Sequence, residues 1–306
     1  MFKKFIRSII PNWRLWTFMI VPLAYVIIFS YVPMYGVQLA FKKFDFGLGI
    51  WGSPWVGLQH FQKFFSSYMF ERVMVNTIRI SVLGTILSFP VPIIFALSLN
   101  SMYHSKLKKT IQTITYMPHF ISTVVLVGIL KQVLHPRIGF YGVVYTLFTG
   151  KVASDLFMNP AVFDLLYIGS GIWQGFGWGS ILYLAALSGV SPELHEAASI
   201  DGATRFQRVI HVDIPAITPT IIIMLILNVG SILGVGFEKI YLMQTDMNLR
   251  VSEVISTYVY KRGLGGGTSS DYGFSTAVNM FNNLVNLVLL VTVNQIASKV
   301  GETSLW

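Results

Sequence analysis

Carboxylates and amides are sparse in this 306-residue chain, so where they fall is informative. Glu196 and Asp201 flank Ala197 and Ala198 in a passage reading PELHEAASIDGATRFQRVIHVDIPAITP. A short exposed helix of that kind can enter a groove, because alanines allow close approach while carboxylates meet cationic or amide donors. Gly202 follows at once, and a glycine there can adopt the left-handed conformation that ends a helix. A second polar set is Asn279, Asn282, Asn283 and Asn286, whose spacings of three, four and seven put them on one face of a helix. A third is Trp173, Gln174, Phe176 and Trp178, rings beside an amide, with Asn228 and Glu238 as further polar candidates near an apolar stretch.

These groups suit docking and hydrogen bonding better than bond-making. No two carboxylates share an apolar stretch, and no His, Asp or Glu cluster has metal-ligand spacing, so neither a catalytic nor a metal site is expected. Cysteine is absent, which removes disulfides and thiol-ligated metals. The asparagines either tie their helix to its neighbours by hydrogen bonds, each worth about 0.6 kcal/mol, or line a polar path. Trp173, Gln174, Phe176 and Trp178 are open to the same two roles.

The elements that must position these residues are membrane helices. Hydrophobic residues make up 54% of the chain and charged ones 11%, the reverse of a solvated globular surface. Six uncharged intervals, 15–41, 80–105, 110–130, 165–192, 214–237 and 272–298, each exceed the roughly 20 residues that a spanning helix needs. Their apolar character is continuous and not alternating, which excludes a barrel and predicts an all-α polytopic membrane protein. The basic residues lie scattered in short loops without a reading surface, so nucleic acid is not expected as a partner.

Lys and Arg divide almost evenly between the two sides, and the raw sum does not orient the chain. The basic cluster in MFKKFIRSIIPNWR and the packed His104, Lys106, Lys108 and Lys109 place residues 1–14, and with them the 300–306 tail, in the cytoplasm. Residues 15–299 then form one six-helix domain with a cytoplasmic elbow at 191–219. Ser191 and Pro192 predict the start of a helix to Ile200, Asp201-Gly202 a turn, and Ala203 to about Val212 a second helix before Pro215 and Pro219 punctuate the return. Pro90 and Pro92 should kink the second span. The loop from Ala40 to Arg72 should hold turns and an interfacial helix, and the glycine-rich 263–267 should be a mobile external loop.

Glu196-Ala197-Ala198, Gly202 and the later Val212-x-Ile214-Pro215 resemble the EAA motif of binding-protein-dependent ABC importer permeases, with Val212 and Ile214 standing where the family pattern has Ile and Leu. YVPMYGVQLAFKKF, GIWGSPWVGLQHF, QTITYMPHFIST, GFEKIYLMQ and VISTYVYKRGL extend the likeness over nearly the whole chain, to the carbohydrate-uptake LplB-like subgroup of Gram-positive bacteria. The resemblance implies the type I importer permease fold in the cell membrane and a second permease subunit. It also implies a dimer of cytoplasmic ATPase subunits that binds ATP and Mg, a lipid-anchored extracellular solute-binding protein, and an oligosaccharide as cargo. By the same resemblance Glu196, Ala197, Ala198, Asp201, Gly202 and Pro215 couple to the ATPase. The chain lacks a G-x-x-x-x-G-K-[ST] loop, so no cofactor and no enzymatic activity are expected of it. A permease for a non-sugar solute is the alternative; a secondary transporter, which should show internal repeats or buried ionisable groups, is a weaker one.

Overall fold

A computed structural model describes residues 13–265 and 270–301, and the described residues are helical apart from turns and one isolated bridge. Residues 1–12 and 302–306 fall outside them, so the cytoplasmic placement of the two termini has no structural counterpart; residues 266 and 267 of the expected 263–267 loop also lie outside the described residues, while 263–265 form the end of a helix and a turn. In chain order the helices are α1 (Trp13–Val26), α2 (Gln59–Phe65), α3 (Met69–Ser88), α4 (Pro90–Asn100), α5 (Ser105–Tyr116), α6 (Thr123–Val133) and α7 (Phe140–Thr149). Then follow α8 (Phe163–Ser188), α9 (Pro192–Ile200), α10 (Arg205–Arg208), α11 (Ile214–Gly230), α12 (Phe237–Met243), α13 (Leu249–Ser252), α14 (Ile255–Gly263) and α15 (Tyr272–Gly301).

Four of the expected spans are single runs long and apolar enough to cross a membrane: Arg14–Phe41, Met69–Asn100, Arg205–Gly230 and Tyr272–Lys299. The expected third span is not one helix. Pro118 interrupts the hydrogen-bond ladder, Met117–Phe120 tightens to a 3₁₀ turn, and Ser122 caps a new helix by accepting from Val125 N–H, so the two halves meet at 99°. The prolines of the second span cost less. Phe89 N–H still reaches Thr85 C=O at 3.0 Å, and α3 and α4 make one 32-residue run.

The chain divides into two compact units. The first holds residues up to Ser67 together with 260–280. Its expected interfacial helix is α2, and Lys42 pairs with Trp55 across the preceding loop. Lys42 is buried, donates to the carbonyls of Ile50 and Trp51 at 2.8 and 3.2 Å, and lies over the Trp55 ring. A cation there satisfies carbonyls at the end of a short helical turn. In the same unit Lys63 Nζ donates to Asp271 Oδ2 at 2.8 Å, and Phe274 N–H donates to the other carboxylate oxygen at 3.0 Å.

Burial raises the Asp271 pKa, but Lys63, the Phe274 N–H and nearby His60 outweigh it and hold the carboxyl below its ordinary value. A depressed folded pKa stabilises above the unfolded value of about 4 and is lost as pH falls through the folded one. Thermal unfolding followed between neutral pH and pH 3 should therefore show an acid-side loss of stability that Asp271→Asn makes shallower. A variant with the wild-type slope would assign that loss elsewhere.

The second unit holds 68–259 and 281 onward. One cluster gathers Ile80, Val127, Phe163, Ile240, Met243 and Val254; another gathers Ala96, Leu97, Tyr183, Leu187 and Ile217. In hydrocarbon these contacts act through close packing more than water exclusion. Polar side chains of α3 fasten the irregular backbone between α12 and α14. Asn76 Nδ2 donates to the carbonyls of Arg250 and Glu253 at 3.0 and 2.9 Å, and Thr77 Oγ1 accepts from Ile255 N–H at 3.0 Å. Arg79 donates to Val251 C=O at 2.7 Å and forms an ion pair with Asp164 at 3.1 Å. Asn248 uses both ends of its amide, donating to Phe157 and Met243 carbonyls and accepting from Thr245 N–H and Ser252 Oγ. Non-helical backbone inside an apolar protein persists only with such partners.

Candidate functional site

Two regions of the second unit carry polar chemistry. The first is a cavity of about 380 Å³ between α3, α8, α11 and the 231–239 segment, with Ser81, Thr85, Tyr167, Gln174, Asn228 and Lys239 on its wall. Thr85 Oγ1 donates to Asn228 Oδ1 at 3.1 Å, Gln174 Nε2 to Ile121 C=O at 2.8 Å, and Lys239 Nζ to Tyr167 C=O at 2.9 Å. Burial lowers the Lys239 pKa to about 8, so the amine is still mostly protonated at pH 7. A second cavity of about 280 Å³ shares Asn228 and Ile172 with the first and adds Phe176, Tyr183 and Met224.

The expected path residues separate in this geometry. Gln174 and Asn228 line the first cavity, and Phe176, edge-to-face on Phe95 at 4.9 Å, lines the second. Trp173 is exposed and lines neither, Trp178 stacks flat on His119 at 4.5 Å, and Glu238 points away, exposed, while its neighbour Lys239 faces in. On α15, Asn286 Oδ1 accepts from Leu233 N–H at 3.1 Å, the tying role. Asn282 Oδ1 is buried without a partner, and Asn279 and Asn283 are exposed. Lys239, Thr85 and Ser81 were not expected.

The second region is the polar passage. Ser191 Oγ accepts from Glu193 N–H and caps α9, with Pro192 in its first turn. Gly202 closes it at φ +77°: Ala203 N–H bonds Ala198 C=O and Gly202 N–H bonds Ser199 C=O, the paired bonds of a Schellman end. Thr204 and Gln207 then exchange the two bonds of a capping box at the start of α10. The expected break at Pro215 is absent. Val209–Asp213 widens into one π turn, with Ile214 N–H reaching back to Val209, and Pro215 enters the first turn of α11, where its missing N–H costs little.

Three residues that sequence reasoning missed hold this passage to the end of α4. Asp213 is 2% exposed, pairs with His195 Nε2 at 3.3 Å and accepts from Asn100 Nδ2 at 3.4 Å. Glu196 and Arg205 share with them a cavity of about 450 Å³, and Arg205 lies over the Tyr103 ring at 4.3 Å. Ala197 and Asp201 are exposed and Ala198 is half-buried. Leu194, Ile200 and Phe206 stand out at 53%, 86% and 73% exposure, an apolar rim on an otherwise polar feature.

Residues 88–300 match the family described as the binding-protein-dependent transport system inner membrane component. The chain belongs to that family. The matched stretch includes the whole polar passage and every cavity-lining residue except those contributed by α3 before Ser88. Protein LplB of Bacillus subtilis (strain 168) is 40% identical over 292 residues, 95% of this chain and 91% of its own length. The polygalacturonan/rhamnogalacturonan transport system permease protein YteP of the same organism is 38% identical over 304 residues, 99% of this chain and 94% of its own. Among solved structures, a bacterial ABC transporter involved in the import of the acidic polysaccharide alginate superposes with a TM-score of 0.88 at 36% identity, covering 97% of this chain and 99% of that one. A second, the bacterial alginate ABC transporter in complex with alginate pentasaccharide-bound periplasmic protein, has a TM-score of 0.88 at 35% identity and covers 98% and 99% of the two chains. The family's members are transport components and not enzymes, and this inner membrane component is a multi-pass membrane protein.

Proposed function

We propose that the chain is a permease subunit of an ATP-driven importer of oligosaccharides, lying in the cell membrane with both termini cytoplasmic. One observation carries the coupling role. The passage from Ser191 to Gln207 is capped at three points, yet presents Leu194, Ile200 and Phe206 to its surroundings with Glu196 and Asp201 between them. A rigid element that leaves apolar side chains uncovered fits a partner's groove. The partner is a dimer of cytoplasmic ATPase subunits, which binds ATP and Mg, and Glu196, Ala197, Ala198, Asp201 and Gly202 form the contact, with Pro215 at its return.

The six-span reading joins the four apolar runs to the bent α5 and α6 pair and to α8. The 26 residues of α8 suffice for a span even though glycine, serine and Gln174 dilute its apolar character. A second permease subunit covers the apolar surface left by this one, and an extracellular lipid-anchored binding protein delivers the cargo. Closure of the ATPase dimer draws two elbows together and rocks the path between inward-facing and outward-facing states. The polar cavities at Gln174, Phe176 and Asn228 belong to that path, and the oligosaccharide class is supported by the polysaccharide cargoes named for YteP and for the alginate transporter.

Co-expression with the cognate ATPase tests the reading. The ATPase should co-purify with the wild-type permease and be lost when Leu194, Ile200 and Phe206 are together replaced by serine, while permease yield is kept. Retention of the ATPase by that variant would remove the elbow as the docking site.

A further inference from the structure

Lys239 is the one cation on the wall of the 380 Å³ cavity, and no Asp or Glu lines it. Its amine is held in place by the Tyr167 carbonyl at 2.9 Å and by the Tyr167 ring, whose centroid is 5.0 Å away. Gly171 leaves the amine room: a Cβ there would come within 3.3 Å of Nζ. An ammonium carries three N–H donors, and among the described residues Tyr167 C=O is the only acceptor it reaches. Two carboxylates near it in the sequence of the lining segments are spoken for or turned away, since Asp164 is paired with Arg79 and Glu238 is exposed outside the cavity. Across the same space Ser81 Oγ is buried with no hydrogen-bond partner. A polar cavity thus holds a positive charge without its counter-charge and a hydroxyl without its bond, while Thr85, Gln174 and Asn228 supply neutral hydrogen-bonding groups nearby.

We propose that Lys239 is the contact for a carboxylate on the cargo, with Ser81 as an accessory donor, so that the importer carries acidic, uronate-bearing oligosaccharides. This deepens the importer reading and rests on it. A single ammonium in a partly desolvated site favours a carboxylate strongly over a neutral hydroxyl, because the charge is poorly repaid by neutral partners. Arginine in its place would keep the charge; glutamine, one atom shorter, would remove the charge and keep part of the hydrogen bonding.

The test uses the assembled importer without its binding protein, so that selection outside the membrane does not enter. Binding of labelled trigalacturonate and trimannuronate is compared with binding of their methyl esters, which keep the sugar skeleton and lose the charge. The wild type should bind at least one of the acids ten-fold or more tightly than its ester. Lys239→Gln should lose about ten-fold or more for that acid and nothing for the ester, and Lys239→Arg should stay within three-fold of wild type. Equal binding of acid and ester, no measurable binding of either acid, or an unchanged acid affinity in Lys239→Gln would overturn the assignment. ATP-driven uptake of maltotriose or xylotriose by liposomes carrying the full importer, indifferent to Lys239, would keep the importer reading and discard this one. Absence of ATP-driven saccharide uptake altogether would discard the parent reading.

Discussion

Replacing Gly177 by leucine is expected to abolish accumulation of folded permease. A Cβ at this position would lie 2.2 Å from the Thr115 carbonyl oxygen and 2.6 Å from its carbonyl carbon. Both atoms are backbone of α5, so no side chain can turn aside, and α5 and α8 would have to separate along their contact. Overpacking of a tight core costs about 1–3 kcal/mol where neighbours can yield, and more where they cannot. Against a total stability of about 5–15 kcal/mol, that is enough to change yield sharply. Gly175, two residues earlier, faces open space with nothing within 4 Å of its would-be Cβ. Fluorescence-detected gel filtration of detergent extracts should show no monodisperse peak for Gly177→Leu, a reduced one for Gly177→Ala, and a wild-type one for Gly175→Ala. A wild-type peak for Gly177→Leu would show that α5 and α8 do not meet as described.

The second large effect is expected at Gly202, where the defect should be functional. Valine at φ +77° is strained whatever space surrounds it, by about 1–3 kcal/mol. The neighbouring restraints are hydrogen bonds and one ion pair: the Schellman bonds themselves, the Thr204 and Gln207 box, Arg208 donating to Ser199 Oγ at 2.9 Å, and His195 paired with Asp213 at 3.3 Å. Relief of the strain therefore comes from reorienting α9 against α10. Gly202→Val should lower ATP-driven uptake by ten-fold or more in the reconstituted importer while permease yield stays near wild type. Gly202→Asn, which tolerates the left-handed region, should recover most of it. Uptake by the valine variant at the wild-type rate would remove the bend from the coupling mechanism.

Much of this architecture can be read from residues in a row. Ser191-Pro192 and Asp201-Gly202 punctuate α9 because caps and left-handed turns are local properties of three or four side chains. Apolar intervals locate most spans for the same reason. What stayed hidden depends on partners distant in the chain. The 99° break after Pro118 needs the cap at Ser122 and a neighbour for the turned helix. Asn76 and Thr77 read as ordinary polar residues in a span until the backbone at 250–255 supplies their bonds. His195 and Asp213 are separated by a helix end, a turn and a second helix start, so their pairing leaves no periodic trace. The asparagines of α15 share a helical face, as their spacing requires, but spacing alone did not distinguish Asn286, bonded to Leu233, from Asn279 and Asn283 on the exposed side.

The unbroken run from Arg205 to Gly230 has a mechanical meaning. At about 1.5 Å per residue its 26 residues make a rod roughly 39 Å long, anchored near Gly202 at one end and carrying Asn228 at the other. Tilting such a rod by about 5° displaces its far tip by roughly 3 Å, the width of a hydrogen bond. Thr85 and Asn228 are joined by one such bond, at 3.1 Å. The π turn at Val209–Asp213 and Pro219 are the two places in the run where that stroke can be absorbed before it reaches the Thr85–Asn228 bond.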